Sequence, residues 1–528
     1  MFNMRKEEEV VRAHPEGEVQ NAGNQPAETV TSLDTFAGKV HVKWVPEAAV
    51  SSLGLMPFFI EFLKTSGRFD KWVEDCPLHY TSGNAPEKRN VLGTLVLSVL
   101  AGHWRYAHIN AIRGDGINPG LLGMTGVASE DSVRRGMKAM EEVASGQWMR
   151  AHLKASYGPL LQEPWVLDVD TTVKPLYGHQ QDAQVGYNPT KPGRPSHAYH
   201  SYFVANIRMV LDMEVQAGNQ TAPLYAQPEL WAFVDGLAER DRPVFMRGDC
   251  HWGAEKAMVE AEVRGLGYLF KLKQSANVKK LIGQVFRKED WVEAGQQWQG
   301  REDVLRLSGW SKERRVVVLR RPLPSKPEAD TVGKKKSKRK SAKQLSLDLP
   351  ELTYQGIQYE YAVLVTSLND QVRAVAQHYR DRGDAENNFD ELKNQWGWAG
   401  FTTHDRKRCQ IMGRIIALVY NWWTIFMRLG IPDKHAEAIT SRPLALHGIA
   451  RQTWHGNQTT VEITSTHAKA SQIAEILTNV SGFLKRIKTT AEQLTQWERW
   501  KLILSAAFRQ FLGGKVIGNT GRLADAPG

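Results

Sequence analysis

The chain has 528 residues, 42% hydrophobic and 24% charged, which excludes collagen-like and wholly disordered classes and leaves room for several domains. Its 68 Lys and Arg against 57 Asp and Glu give a net charge of +11, a balance that draws polyanions and makes nucleic acid the first partner to test. Cys76, Cys250 and Cys409 give neither a disulfide framework nor a four-ligand zinc pattern, which fits a reducing cytosol.

Residues 1–35 are polar and scattered with Gly, Pro, Asn and Gln. They are expected to form a mobile tail, and the acid-rich start lacks the apolar stretch of a secretory signal. Residues 36–160 carry apolar clusters at helical spacing, such as MPFFIEFL and NVLGTLVLSVLAGHW, and are expected to form an all-α, DNA-binding N-terminal domain. Within them Ser129 can cap a helix over EDSVRRGMKAMEEV, read either as a recognition helix or as a solvated face of a bundle.

Strand patterns begin at WVLDVDTTV, continue through SYFVANIRMVLDMEV and recur at RPVFMRGD, with the helical PELWAFVDGLAER among them. Residues 161–265 are therefore expected to be the first part of an α/β core. Residues 266–369 read as a β-rich insertion with no strong helix, built on GYLFKLKQ, RRVVVLRR and YEYAVLVTSL. Inside it, GKKKSKRKSAK at 333–343 suits the DNA backbone, the alternative being a solvated loop. Residues 370–430 complete the core, and 431–528 are expected to be a helical C-terminal region, a candidate for dimerisation. The apolar stretch 411–429 is interrupted by Arg414, Asn421 and Arg428, which predicts a buried core helix and no membrane span.

The strongest local signal is YRDRGDAENNFDELK. On a single helix Tyr379, Arg382, Glu386 and Lys393 fall within an arc of roughly 60°. Glu386 can ligate a hard cation, Tyr379 can donate a hydrogen bond or stack, and Arg382 and Lys393 can contact phosphate oxygens. The same spacing also occurs in exposed helices with intrahelical ion pairs. Asp168 and Asp170 point to one side of a strand, where a carboxylate is costly unless paired or metal-bound. Asp249 ends an apolar run after Gly248, where the chain is expected to turn sharply.

These residues together resemble the bacterial insertion-sequence transposases with a ribonuclease-H-like core and a Tyr-Arg-Glu-Lys signature. That signature is matched in full by Tyr379, Arg382, Glu386 and Lys393. In such enzymes the first catalytic aspartate lies on the first strand and is often followed by threonines, as in Asp170-Thr171-Thr172; the second closes the fourth strand, as Asp249 does in RGDC. The third acid lies on a late helix beyond a β insertion.

The resemblance covers roughly 160–430. It implies a ribonuclease-H-like α/β core with a β-rich insertion, flanked by an all-α N-terminal domain and a helical C-terminal region. Asp170, Asp249 and Glu386 become the catalytic metal ligands; Asp168 is the alternative to Asp170, which the threonines that follow it favour, and otherwise stands beside it in support. Tyr379, Arg382 and Lys393 become DNA contacts; since Arg382 cannot ligate a cation, its replacement is expected to leave metal affinity nearly unchanged. Two Mg²⁺ (or Mn²⁺) ions about 3.5–4 Å apart are implied, with double-stranded DNA at terminal inverted repeats and target DNA as partners. A homodimer in the synaptic complex, a nucleoid-associated place in the bacterial cytoplasm and no membrane complete the expectation.

Two other functions fit the same acids: a structure-selective nuclease that cuts without joining, and a DNA-binding derivative, for which a broken acidic set would be expected. His197 and His200 stand three apart without acidic companions, a weak zinc pattern. Among the 17 Trp, Trp291, Trp298 and Trp310 are candidates to hold an unstacked base, although a core Trp is the commoner case.

Overall fold

The computed structural model describes residues 30–45, 47–80, 82–188, 191–323, 353–354, 357–465, 467–490 and 493–518. The basic run at 333–343 lies outside them. The chain divides into one unit over residues 1–48 and another over 49–528. The first holds an antiparallel hairpin of Val30–Thr35 with Gly38–Lys43, in a stretch read from sequence as tail and helix. Thr35 accepts from the Ala37 amide, and Gly38 takes φ +103 to close the turn.

In the second unit, five strands frame the candidate acids: β1 (Val166–Pro175), β2 (Pro195–Val204), β3 (Met209–Ala217), β4 (Phe245–Gly248) and β5 (Gly267–Lys271). Their order in space is β3-β2-β1-β4-β5. β1 is antiparallel to β2, and β2 to β3, whereas β4 runs parallel to β1 and β5 parallel to β4.

The segment read as an insertion continues this sheet. Leu364–Thr366 of β9 (Ile357–Thr366) pair antiparallel with Lys271–Leu269 of β5. Outward from β9 follow β8 (Arg314–Pro322), β7 (Trp298–Leu305) and β6 (Val292–Gly295). Two-residue strands at Gln184–Val185 and Thr353–Tyr354 bring the sheet to eleven strands among the described residues. The added strands cover the edge of β5, which would otherwise leave a row of unpaired backbone groups. The expectation of no strong helix here is corrected by Ala276–Val285, whose Val278, Leu281, Ile282 and Val285 are buried at intervals of three and four.

Helices lie on either side of this segment in the chain. The Ser129 cap is present, its side chain accepting from Ser132 N, but the helix ends at Ala139 and a separate helix, α1 (Glu142–Tyr157), follows. Arg134 pairs with Glu130 and Asp131 on its own helix, as in the solvated-face reading. Near the active segment come α2 (Val372–Arg380), α3 (Arg382–Asn394) and α4 (Arg406–Gly430).

Helix α4 is buried from Ile411 to Met427. The polar residues that disqualify it as a membrane span fasten it to β3: Arg414 Nε lies 2.8 Å from Asp212 Oδ1, and the Asn421 amide bonds both the N–H and the C=O of Val210. Among the described residues no helix is long and apolar enough to cross a membrane.

The region after residue 430 is helical only in part. Ile449–His455 and Gln458–Thr464 form a hairpin around Gly456-Asn457, with Gly456 at φ +60. The hairpin pairs with Val50–Ser51, and the helices Ala470–Thr489 and Gln496–Ala507 follow it.

Candidate active site

Asp170 sits on β1, where its Oδ1 accepts from the Thr171 amide at 2.8 Å. Asp168, two residues earlier, is almost fully buried and forms a forked ion pair with Arg247 of β4, at 2.6 and 2.7 Å. The cost of burying that carboxylate is met by a guanidinium, which gives Asp168 a structural partner on the neighbouring strand. Arg247 also donates to the His378 carbonyl on α2. The pair therefore ties two strands to the helix that carries Tyr379.

Asp249 follows β4 in a tight turn that returns Trp252 N to its carbonyl at 3.1 Å. The chain turns there as expected, without a left-handed φ at Gly248; a Cβ at this position would lie 2.8 Å from the Trp252 side chain. The absent side chain makes room for the buried Trp252 beneath the acid. His251 completes the turn, its backbone N 2.9 Å from Asp249 Oδ1 and its Nδ1 2.8 Å from Oδ2. Sequence reasoning missed this histidine, although its position two residues after the acid was the available signal.

Glu386 lies exposed on α3. The single helix expected over the Tyr-Arg-Glu-Lys residues is interrupted for one residue at Asp381, so Tyr379 lies in the last turn of α2 and the other three belong to α3. Arg382, the first residue of α3, still joins the acids. One guanidinium nitrogen stands 3.3 Å from Asp170 Oδ2 and another 2.5 Å from Glu386 Oε1. Arg382 is only 6% exposed. Its immediate partners are therefore two of the predicted metal ligands.

A cleft of about 240 Å³ opens beside these groups, lined by Asp249, His251, Lys393, Asn188, Tyr187 and the threonines Thr171 and Thr172, among others. Burial pushes the Asp170 carboxyl up, Arg382 opposes this and the neighbouring Asp249 adds to it, leaving Asp170 at about 6. Burial also acts upward on Asp249, but the hydrogen bonds and charge of His251 and the charge of Arg382 outweigh it and hold that acid below the usual range. Burial lowers the half-buried Lys393 ammonium and raises the Tyr379 hydroxyl, which lies in the field of Arg382, Asp249 and Glu386.

The donor set fits a hard divalent cation. Asp170, Asp249 and Glu386 offer carboxylate oxygens from separate elements, and burial with a neighbouring carboxylate makes the charge on Asp170 costly, an imbalance that a cation relieves. Among the described residues, Asp249, Cys250 and His251 each offer a ligand atom within 4.8 Å of one another. Asp170, Asp249 and Glu386 are not drawn to that spacing, since a guanidinium stands between two of them.

Other sequence candidates fall elsewhere. His200 bonds Thr171 Oγ1 and the Gln220 carbonyl, both at 2.8 Å, and His197 bonds the Gln181 carbonyl at 2.7 Å, so each is held by neutral groups of the sheet and its loops. Trp291, Trp298 and Trp310 are each covered on one ring face by an arginine of β8: Arg320 at 4.0 Å, Arg321 at 4.9 Å and Arg314 at 5.3 Å. Eight others, from Trp72 to Trp500, are fully buried, so tryptophan abundance here serves cores first.

Residues 82–331 match the family model described as the transposase DDE domain, group 1. The chain carries a DDE transposase domain. The match begins within the N-terminal helices, contains Asp170 and Asp249, and stops before Glu386, so it is displaced toward the N-terminus from the span the sequence motifs covered. No curated protein matches the chain. Among solved structures, the cryo-EM piggyBac transposase synaptic complex with hairpin DNA is similar at 10% identity and a TM-score of 0.35, over 89% of this chain and 87% of that one. As a DDE transposase, the protein is of an enzyme class that uses divalent metal ions.

Proposed function

We propose that this DDE transposase binds the terminal inverted repeats of an insertion sequence, cleaves DNA at the element ends and joins the 3′-hydroxyl to target DNA by two-metal phosphoryl transfer. The observation that carries the reading is that Asp170 and Glu386, from a strand and a helix far apart in the chain, share the Arg382 guanidinium, while Asp249, near enough to raise the Asp170 carboxyl, lines the adjoining cleft. The strand order β3-β2-β1-β4-β5, antiparallel on one side of β1 and parallel on the other, supports a ribonuclease-H-like core.

Asp170, Asp249 and Glu386 would hold two Mg²⁺ or Mn²⁺ ions, which supply activation of a water or 3′-hydroxyl and stabilisation of the leaving oxygen. The chain's own residues do the rest. His251 fixes the orientation of the Asp249 carboxylate through two hydrogen bonds. Lys393, on the cleft wall, offers a positive donor to a backbone phosphate, and Tyr379 and Arg382 extend that contact along the strand. Two copies of the chain acting on paired ends would form the synaptic complex.

The test is an assay on DNA carrying the sequence that flanks the coding region, with Mg²⁺ or Mn²⁺ and a target plasmid. The expected products are 3′-hydroxyl ends at the borders of imperfect inverted repeats and joined molecules containing the target. Cleavage of branched DNA without joining would replace this reading with a structure-selective nuclease.

A further inference from the structure

We propose that Arg382 is a placeholder cation: its guanidinium occupies the position between Asp170 and Glu386 that a divalent ion takes, and the ion must displace it to load. The inference rests on the reading of Asp170 and Glu386 as metal ligands. It departs from the sequence-based expectation that Arg382 touches only phosphate and leaves metal affinity alone.

The geometry is specific. Two nitrogens of one side chain engage Asp170 Oδ2 at 3.3 Å and Glu386 Oε1 at 2.5 Å, and both oxygens are of the kind a hard ion uses. Arg382 is buried, so its charge is supported by the groups around it, Asp170 first, then Tyr379, Glu386 and Asp249. A divalent ion set between the same acids would face this guanidinium across a few ångströms. The two cations exclude each other.

Arg382 begins α3 directly after the interruption at Asp381. A displaced guanidinium beside the cleft is then placed to bind a phosphate, for which its planar fork is suited. Lys393 differs: it lines the cleft without an ion pair to Asp170, Asp249 or Glu386 among the described residues. It can meet a phosphate without first releasing an acid.

The test is a titration of the full-length protein with Mn²⁺ alone, free ion being read by its electron paramagnetic resonance signal. Wild type is compared with Arg382→Gln, Arg382→Lys and Glu386→Gln. Arg382→Gln should bind Mn²⁺ at least about fivefold more tightly than wild type, Arg382→Lys should gain less, and Glu386→Gln should bind more weakly. Equal or weaker binding by an Arg382→Gln protein that melts like wild type overturns the placeholder role. Unchanged Mn²⁺ binding by Glu386→Gln overturns the ligand assignment beneath it, a separable outcome. Should Arg382→Gln fail to fold, the wild type still decides: Mn²⁺ should accelerate phenylglyoxal modification of Arg382, located by peptide mass, and unchanged protection at saturating Mn²⁺ overturns the proposal.

Discussion

At the scale of single residues, the site separates acids that face the cleft from acids that hold the fold. Asp168 is neutralised by Arg247 and Asp212 by Arg414, whereas Asp249 lines the cleft and Asp170 shares Arg382 with Glu386. Asp170→Ala, Asp249→Ala and Glu386→Ala should each abolish Mg²⁺-dependent cleavage in a gel assay while leaving DNA binding largely intact, because ligand loss removes metal placement and spares distant backbone contacts. His251→Ala should keep the fold and reduce cleavage by about 10- to 100-fold, the usual cost of losing a group that orients a metal ligand. The acids stood out in the sequence because Asp170 interrupts an apolar strand, Asp249 ends one and Glu386 joins a helical motif. The Arg382 pairing was not, since the distance from α3 to β1 is set by tertiary packing and leaves no trace in local spacing.

At the scale of elements, α3 is positioned from its buried end. Glu391 accepts from His435 Nε2 at 2.7 Å, from Trp396 Nε1 at 3.0 Å and from Ala438 N at 2.9 Å, and this network fixes the helix that presents Glu386 one and a half turns earlier. Burial pushes the Glu391 carboxyl up, but the hydrogen bond and charge of His435, with the Trp396 and Ala438 bonds, hold it below its ordinary 4.5. A depressed folded-state value contributes stability that is present above about pH 4.5 and lost as pH falls through the lower folded value. Glu391→Gln should therefore lower stability at pH 7 by about 2 kcal/mol in denaturant melts and lose less stability than wild type on acidification below pH 4.5. An unchanged acid limb would remove Glu391 from this role.

Other elements show where sequence signals were present but misassigned. Val278, Leu281, Ile282 and Val285 carry a plain helical period inside a segment judged β-rich. Gly456-Asn457 is a two-residue hairpin turn between strand-forming runs, set within a region read as helical. Helix α4 was legible because its apolar length and three polar interruptions together fit only a buried helix.

At the scale of the whole molecule, charge and chain order have to produce one DNA-handling surface. The run at 333–343 holds seven Lys and Arg, and replacing them with Ser should flatten the log-log salt dependence of DNA binding by up to about 0.9 for each phosphate no longer neutralised, without changing which sequences are bound. An unchanged slope would assign the run to solubility. The continuity of the sheet from β3 to β6 could not be read from sequence, because strand pairing across long separations depends on which edges remain open once the core strands have paired.

The central claim is that acids 79 and 137 residues apart along the chain share bound metal, and iron-directed backbone cleavage tests it most directly. With Fe²⁺ replacing Mg²⁺ in the full-length protein, hydroxyl radicals should cut the polypeptide near residues 170, 249 and 386 together, and Asp249→Asn should suppress all three cuts. Cuts confined to the Asp249–His251 turn, or placed away from these segments, would contradict the account.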